Sequence, residues 1–256
     1  QVSMREHQKF FSLRQKGSTA IEAFVIVANL VTQDNGKSIV NGNERVLNAR
    51  LSDAKFFWEN DLRVIETNGY ESLAEKLKAV TFHNELGNEF NRVKRISTIA
   101  HEISGMLGAD QKSTSLAASL CKLDLVSEMV YEFPELQGVI GKYYAKRAGF
   151  SKSISDACYE HYLPRGPIDM VPRNAVSVAL ALADKIDLIS SFWAINLKPS
   201  GSKDPFALRR AAIGIIRILI ENDLELPLNV LLRLGNKNLD FDDLIEFFND
   251  RFRVHL

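Results

Sequence analysis

Cysteine is nearly missing: only Cys121 and Cys158 occur in 256 residues. Their spacing matches no zinc site and supplies no disulfide framework, so the chain reads as reduced and intracellular, with a cytoplasmic location expected. Neither sign of charge is in excess, since 32 Lys and Arg balance 32 Asp and Glu. No global positive field therefore points to nucleic acid. Any such contact must use a local patch, and DNA is not an expected partner. Long apolar runs are lacking too. Charges interrupt each one well short of the ~20 residues that a membrane span needs, so no membrane partner is expected. The start has no basic segment followed by an apolar one, which argues against a signal peptide. Opening on Gln-Val-Ser rather than Met, the chain reads as an excised piece. A glycine-rich phosphate loop, a nucleophile elbow and Cys/His zinc spacing are all missing, so no complete set of catalytic groups is visible. What remains is ordinary for a globular protein, at 46% apolar and 25% charged, and enough for one large or two modest domains.

Two textures run along the chain. Residues 7–31, "HQKFFSLRQKGSTAIEAFVIVANLV", place β-branched and aromatic runs on either side of "RQKGST", which predicts a β-hairpin with a glycine turn. From Gly42 onward the pattern is helical. In "NERVLNARLSDAKFFWENDL" (43–62), Leu47, Leu51, Ala54 and Trp58 form a one-sided stripe opposite Arg45, Asn48, Ser52 and Lys55. Further helices are expected at about 71–86, 90–107, 112–130, 135–148, 151–163, 173–196, 205–222 and 241–254, punctuated by Gly, Pro and Asn/Asp clusters. A boundary near 65–70 ("IETNGYES") divides the end of a small α/β domain with its connecting helix, 1–68, from an all-helical domain, 69–256. The fold class is mainly α.

Three segments could carry chemistry. In "ALADKIDLI", Asp184 shares a face with Leu180, Ala181, Leu188 and Ile195, and Asp187 lies one turn on. A carboxylate on an apolar stripe must be paired, protonated or metal-bound. Lys185, Lys122 or a helix end are the candidate partners for Asp184. In "EHYLPRG", His161 sits where a helix stops before Pro164 and either bonds the last carbonyls or serves as a ligand. In "CKLDLVSEMVYEFPELQG", Lys122, Asp124 and Glu128 are spaced for a mutual network on a solvated face.

A fourth stretch poses a question. In "KPSGSKDPFALRR", Asp204 is an expected N-cap, Pro205 an expected first helical residue, and Arg209 heads an apolar stripe with Ile213, Ile216 and Ile220. The polar stripe is Arg210, Gly214, Arg217 and Glu221. Two arrangements would satisfy Arg209. Either Asp184 or Asp187 pairs with it internally, or the turn lies open and offers its cations to an anion.

The blocks "MREHQKFF", "VNGNERVLNARLSDAKFFWENDL", "KLDLVSEMVYEFPELQGVIGKYYA", "EHYLPRG", "ALADKID" and "KPSGSKDPFALRRAAIGIIRILIEN" occur in this order. Together they resemble the beta subunit of bacterial-type heterotetrameric (alpha2beta2) glycyl-tRNA synthetase, of which this would be the middle portion. The resemblance implies tRNA(Gly) binding and assembly with the alpha subunit. Aminoacylation would use ATP and Mg at the alpha subunit, and this region would bind no cofactor or metal and hold no catalytic residue. Lys198, Lys203, Arg209 and Arg210, with Arg165 of "EHYLPRG", become the tRNA-binding candidates. The helical region is similar to the HD superfamily of metal-dependent phosphohydrolases. Asp184 fits that family's late aspartate and His161 an additional histidine, while Lys122 and Asp124 stand where its His-Asp pair belongs. On an early helix only His101 is available, about two turns late. The resemblance therefore implies a degenerate site of His161, Asp184, Lys122 and Asp124. A stand-alone HD-type phosphohydrolase is the alternative.

Overall fold

The computed structural model describes Met4, residues 9–18 and residues 20–255. Residues 5–8 of the "MREHQKFF" block, the last two of which open the expected hairpin segment, and Thr19 of its "RQKGST" turn lie outside the described residues. The chain divides into two compact units, residues 1–61 and 62–256.

In the first unit, β1 (Phe11–Leu13) pairs antiparallel with β2 (Ala23–Val25), Phe11 opposite Val25 and Leu13 opposite Ala23. The turn between them contains Gly17 at φ +88°, a left-handed backbone that suits glycine. Phe10 stacks on Phe24 at 5.1 Å. Met4, Phe10 and Leu47 form a small core with Ile21, Phe24 and Ile26 packed against it. The helix α1 runs Lys37–Asn68, longer at both ends than the expected 43–62. Of its predicted stripe, Leu47 is buried and Leu51 exposed.

The second unit is mainly α. A 3-10 stretch, Tyr70–Ala79, leads into a small antiparallel hairpin of β3 (Thr81–His83) and β4 (Gly87–Asn88). This corrects the helix expected over 71–86. The β-favouring Thr81-Phe82-His83 is turned back by Gly87 at φ +83°, and Asn88 then caps the next helix, α2 (Glu89–Met106), by accepting from the Asn91 amide at 3.0 Å. The expected single helix over 112–130 is also broken. It resolves into α3 (Gln111–Leu120), a 3-10 turn Leu123–Val126 and the short α4 (Glu128–Glu132). Ser127 causes the second break, since its hydroxyl donates to the Asp124 carbonyl at 2.7 Å and accepts from the Val130 amide at 3.2 Å.

The remaining helices are α5 (Val139–Arg147), α6 (Lys152–Glu160), α7 (Ala175–Ala194), α8 (Leu208–Glu221), α9 (Leu228–Gly235) and α10 (Phe241–His255). The sequence reading did not anticipate α9. Apolar on nearly every side, α7 is buried along most of its length and packs on α2, α3, α6, α8 and α9. No helix among the described residues is long and apolar enough to cross a membrane.

The docking of α9 on α7 depends on a missing side chain. A Cβ added at Gly235 would lie 2.7 Å from Ser190 Cβ and 3.0 Å from Ile186 Cγ2. Gly235→Ala should therefore destabilise the fold by about 1–3 kcal/mol through overpacking, read as a lowered urea midpoint at unchanged m-value.

Candidate functional site

The first turns of α2 carry Glu89, Arg92 and Arg95 at three-residue spacing, so each adjoins the next on one flank of the helix. The facing helix α7 presents Asp184 and Asp187, again three apart. Arg92 sits between them. Its Nη2 donates to Asp184 Oδ1 at 2.9 Å, its Nε to Asp187 Oδ2 at 3.3 Å, and its Nη1 lies 3.5 Å from Glu89 Oε1. Phe82 lies against its planar face at 4.3 Å. Arg95 Nε donates to Asp187 Oδ1 at 2.6 Å, and Lys122 Nζ stands 3.1 Å from Asp184 Oδ1. Three carboxylates thus face three cations, with Arg92, Lys122, Asp184 and Asp187 all buried.

The electrostatics follow from this crowding. Burial alone would raise the pKa of Asp184, but Lys122 and Arg92 outweigh it and hold the carboxyl well below the usual carboxylate range. His161 is pushed the other way: burial first, then Lys122, drives its pKa well below the ordinary imidazole value and keeps the ring neutral. Its Nδ1 is 3.1 Å from the Ala157 carbonyl oxygen and so carries the proton, while its buried Nε2 meets no partner among the described residues. The structure therefore brings Lys122 to Asp184 and sets His161 in their field. Asp124 has a different task. Its Oδ2 accepts the Gly138 amide at 2.5 Å and the Gly141 amide at 3.1 Å, capping α5, and burial raises its pKa to about 6 against those bonds. Lys122 and Asp124 are buried, which corrects their reading as a solvated face.

These donors do not fit a divalent ion. Both close cations converge on Asp184 Oδ1, and among the described residues no three His, Cys, Asp or Glu side chains are placed to hold one ion.

Lys185 points away from Asp184 and donates to the carbonyls of His161 at 3.1 Å and Leu163 at 2.7 Å. Arg217 continues this clamp on the following loop, donating to Gly166 O at 3.0 Å and Asp169 O at 2.7 Å. Asp169 in turn accepts the Arg165 and Gly166 amides at 2.8 and 2.9 Å. The clamped loop forms one wall of a cleft of about 710 Å³ whose other wall is the start of α8. Arg165, Arg209, Arg210 and Arg217 line it, over Pro164, Pro167 and Ile213.

The internal pairing of Arg209 with Asp184 or Asp187 is corrected. Its guanidinium binds the preceding turn, Nη2 to Gly201 O at 2.7 Å and Nη1 to Lys203 O at 3.4 Å, while Arg92 and Arg95 take the aspartates. The helix begins at Leu208, three residues after Pro205, with Ala207 at φ +56°. Asp204 still caps it, accepting the Leu208 and Arg209 amides at 2.8 and 3.0 Å. The inward face of α8 is Leu208, Ala211, Ala212, Ile215 and Ile218, whereas Ile220 of the expected apolar stripe is exposed. Gly214 and Arg217 of the expected polar stripe are buried. Phe206 stacks on Phe192 at 3.9 Å, anchoring the turn.

Among the expected tRNA contacts, Arg165, Arg209 and Arg210 meet in the cleft. Lys203 is exposed on the adjoining turn and does not line it, and Lys198 is bound to Asp243 at 2.7 Å. Sequence reasoning missed Arg92, Arg95 and Arg217. Arg92 had a signal, because it heads the buried stripe Ile96, Ile99, Ile103 on α2.

A protein-family model described as glycyl-tRNA synthetase beta subunit matches residues 1–256. The chain is 52% identical over its whole length to a glycine–tRNA ligase beta subunit of Ruegeria sp. (strain TM1040), covering 37% of that protein. It is 53% identical to one of Paracoccus denitrificans (strain Pd 1222) and 46% to one of Rhodospirillum centenum (strain ATCC 51521 / SW), again over its whole length and 37% of each. The chain thus spans little more than a third of these relatives.

Two measurements probe the buried cluster. Arg92→Met leaves three carboxylates facing two cations and should cost about 3–5 kcal/mol in urea unfolding, the usual penalty for stranding a buried charge. The second concerns Lys185, whose burial lowers its pKa from 10.5 to about 8, partly opposed by Asp184. Between those values the unfolded chain keeps a proton that the folded chain has released, so this group stabilises the fold as pH rises. The unfolding free energy of wild type minus that of Lys185→Met should therefore climb from about pH 8 to about pH 10, by up to about 3 kcal/mol. Cys121 and Cys158, whose burial raises their pKa values, act in the opposite sense but cancel in the difference. A flat difference would show that Lys185 stays charged.

Proposed function

The chain belongs to the glycyl-tRNA synthetase beta subunit family, and on that premise we propose that it serves tRNA(Gly) binding and assembly with the alpha subunit. ATP-dependent aminoacylation is carried out with the alpha subunit, which supplies the ATP, Mg and glycine sites. The complete enzyme is an alpha2beta2 heterotetramer working in the cytoplasm. The helical unit has an HD-like fold whose Asp184 is retained as an internal counter-charge to Arg92 and Lys122 rather than as a metal ligand.

The observation that carries the tRNA reading is the clustering of four arginines along one cleft of a chain with no net charge. Two of them are occupied: Arg217 by Gly166, Asp169 and Glu221, and Arg209 by the Gly201 and Lys203 carbonyls. Arg210 is exposed and Arg165 gives one guanidinium bond, to Gln137 O at 3.1 Å, so these two have donors left for phosphate oxygens.

Arg165→Ala with Arg210→Ala in the assembled enzyme should weaken binding of a tRNA(Gly) transcript roughly tenfold. The slope of log affinity against log salt should fall by about 0.7–0.9 for each phosphate that is no longer neutralised. Lys198→Ala, whose ammonium is held by Asp243, should change neither. Unchanged affinity and slope in the double variant would remove the cleft from the tRNA surface. Without added alpha subunit, the chain should form no glycyl-tRNA in an acid-gel charging assay.

A further inference from the structure

Arg165 does not hold its own place in the cleft. Its backbone is fixed by Asp169, but its guanidinium has one hydrogen bond, to Gln137 O. The rest of its support is aromatic, since the guanidinium carbon lies 4.8 Å from the ring centre of Tyr162 and 5.9 Å from that of Tyr159. The Tyr162 ring is held in turn. Lys122 Nζ is 4.0 Å from its centre, and the His161 ring centre is 3.9 Å away. The ring also fills the space that a side chain at residue 138 would take: a Cβ on Gly138 would approach its Cδ2 to 2.7 Å and its Cε2 to 2.8 Å. Lys122 is itself tied to Asp184. A continuous line of packed and paired side chains therefore runs from the buried cluster through Lys122 and Tyr162 to Arg165 at the cleft.

We propose that Tyr162 is a positioning residue for tRNA binding, its ring serving as the platform that aims the Arg165 guanidinium into the cleft. This rests on the reading of the cleft as the tRNA-facing surface. A guanidinium over an aromatic face is attracted by the ring quadrupole, whatever the substituent at the ring's far end. The ring is needed and the hydroxyl is not. Arg165 without the platform would keep its charge but lose its direction, and binding a phosphate depends on both.

The test uses the assembled synthetase with the beta-subunit variants Tyr162→Phe, Tyr162→Met, Tyr162→Leu, Arg165→Ala and the Tyr162→Met/Arg165→Ala pair. Binding of a tRNA(Gly) transcript and the kcat and KM for tRNA are measured, each variant first being shown to assemble with the alpha subunit. Tyr162→Met fills most of the ring's volume without its π face, and Tyr162→Leu gives a second aliphatic replacement should Met perturb assembly. Arg165→Ala, Tyr162→Met and Tyr162→Leu should each weaken tRNA binding roughly three- to tenfold and raise KM at unchanged kcat, the size expected for removing one cation–π interaction. Tyr162→Phe should bind like wild type, and the pair no worse than Arg165→Ala alone. Weakening by Arg165→Ala with none from the aliphatic replacements, or full additivity in the pair, would overturn the positioning role and leave the cleft reading intact. No effect of Arg165→Ala would overturn the positioning role, while the cleft reading falls only if Arg165→Ala with Arg210→Ala is also without effect. Loss of binding in Tyr162→Phe equal to that in Tyr162→Met would assign the effect to the hydroxyl and overturn the platform.

Discussion

The second unit is organised around one guanidinium. Arg92 enters the space between α2 and α7 and is met by Glu89, Asp184 and Asp187 on its three nitrogens. Such a cluster adds little net stability, because Coulombic gain in the interior is largely offset by the cost of removing each ion from water. Its effect is positional. Two apolar helix faces can slide by a turn with modest loss, but a fork that must reach carboxylates one turn apart fits at one setting only. Lys122 extends the constraint to the turn after α3, since its ammonium shares Asp184 Oδ1 with Arg92. The polar atoms of two chain segments, α2 and the turn after α3, are thereby fixed against α7.

From that fixed point the cations divide into two groups. Arg92, Lys122 and Arg95 are taken up by carboxylates, whereas Lys185, Arg209 and Arg217 donate to backbone carbonyls, Arg217 also to the Glu221 carboxylate. The second group matters for the cleft, because loop carbonyls bound by buried cations need no regular secondary structure to be satisfied. The loop after α6 is held in this way by Lys185 from α7 and Arg217 from α8. Gly214 makes room for the first of these. A Cβ there would meet Lys185 Cε at 2.8 Å, so the lysine stem runs across α8 where that helix has no side chain. The wall of the cleft is therefore a product of the core's charges.

Much of the architecture was legible in the sequence, for reasons that can be named. The helices α2, α7 and α10 announce themselves by period and by capping residues, and the first hairpin by its glycine turn. The segment over 71–86 did not, because its leucines at 73 and 77 have helical spacing and the hairpin that follows is only a few residues long. The break at Ser127 depends on a hydroxyl competing for backbone groups, which periodicity cannot register. The site was half legible. Asp184 and Lys122 stood out as charges needing partners, and their contact follows from that need. Arg209 drew attention as a cation at the head of an apolar stripe, but the stripe was set on the wrong edge of α8. The same signal on α2, Arg92 ahead of Ile96, Ile99 and Ile103, marks the residue that is paired with the aspartates. A helical wheel fixes relative angle but not which side faces the core, and that is decided by tertiary packing.

A carboxylate on a buried helix face looks the same whether its counter-charge is a divalent ion or a protein cation. Both demand an acid at that position, and both tolerate apolar neighbours. They differ in what else converges. A metal draws several neutral or anionic donors onto one point, so its site is rich in acceptors and needs no nearby cation. Here two cations, Arg92 and Lys122, reach Asp184, and the buried His161 is held neutral partly by the Lys122 charge. Arg92 and Lys122 supply the counter-charge that the buried Asp184 needs, and the same contacts fix the helix register. The sequence signal that would separate the two cases is the identity of the residues at 92 and 122, not the aspartate itself.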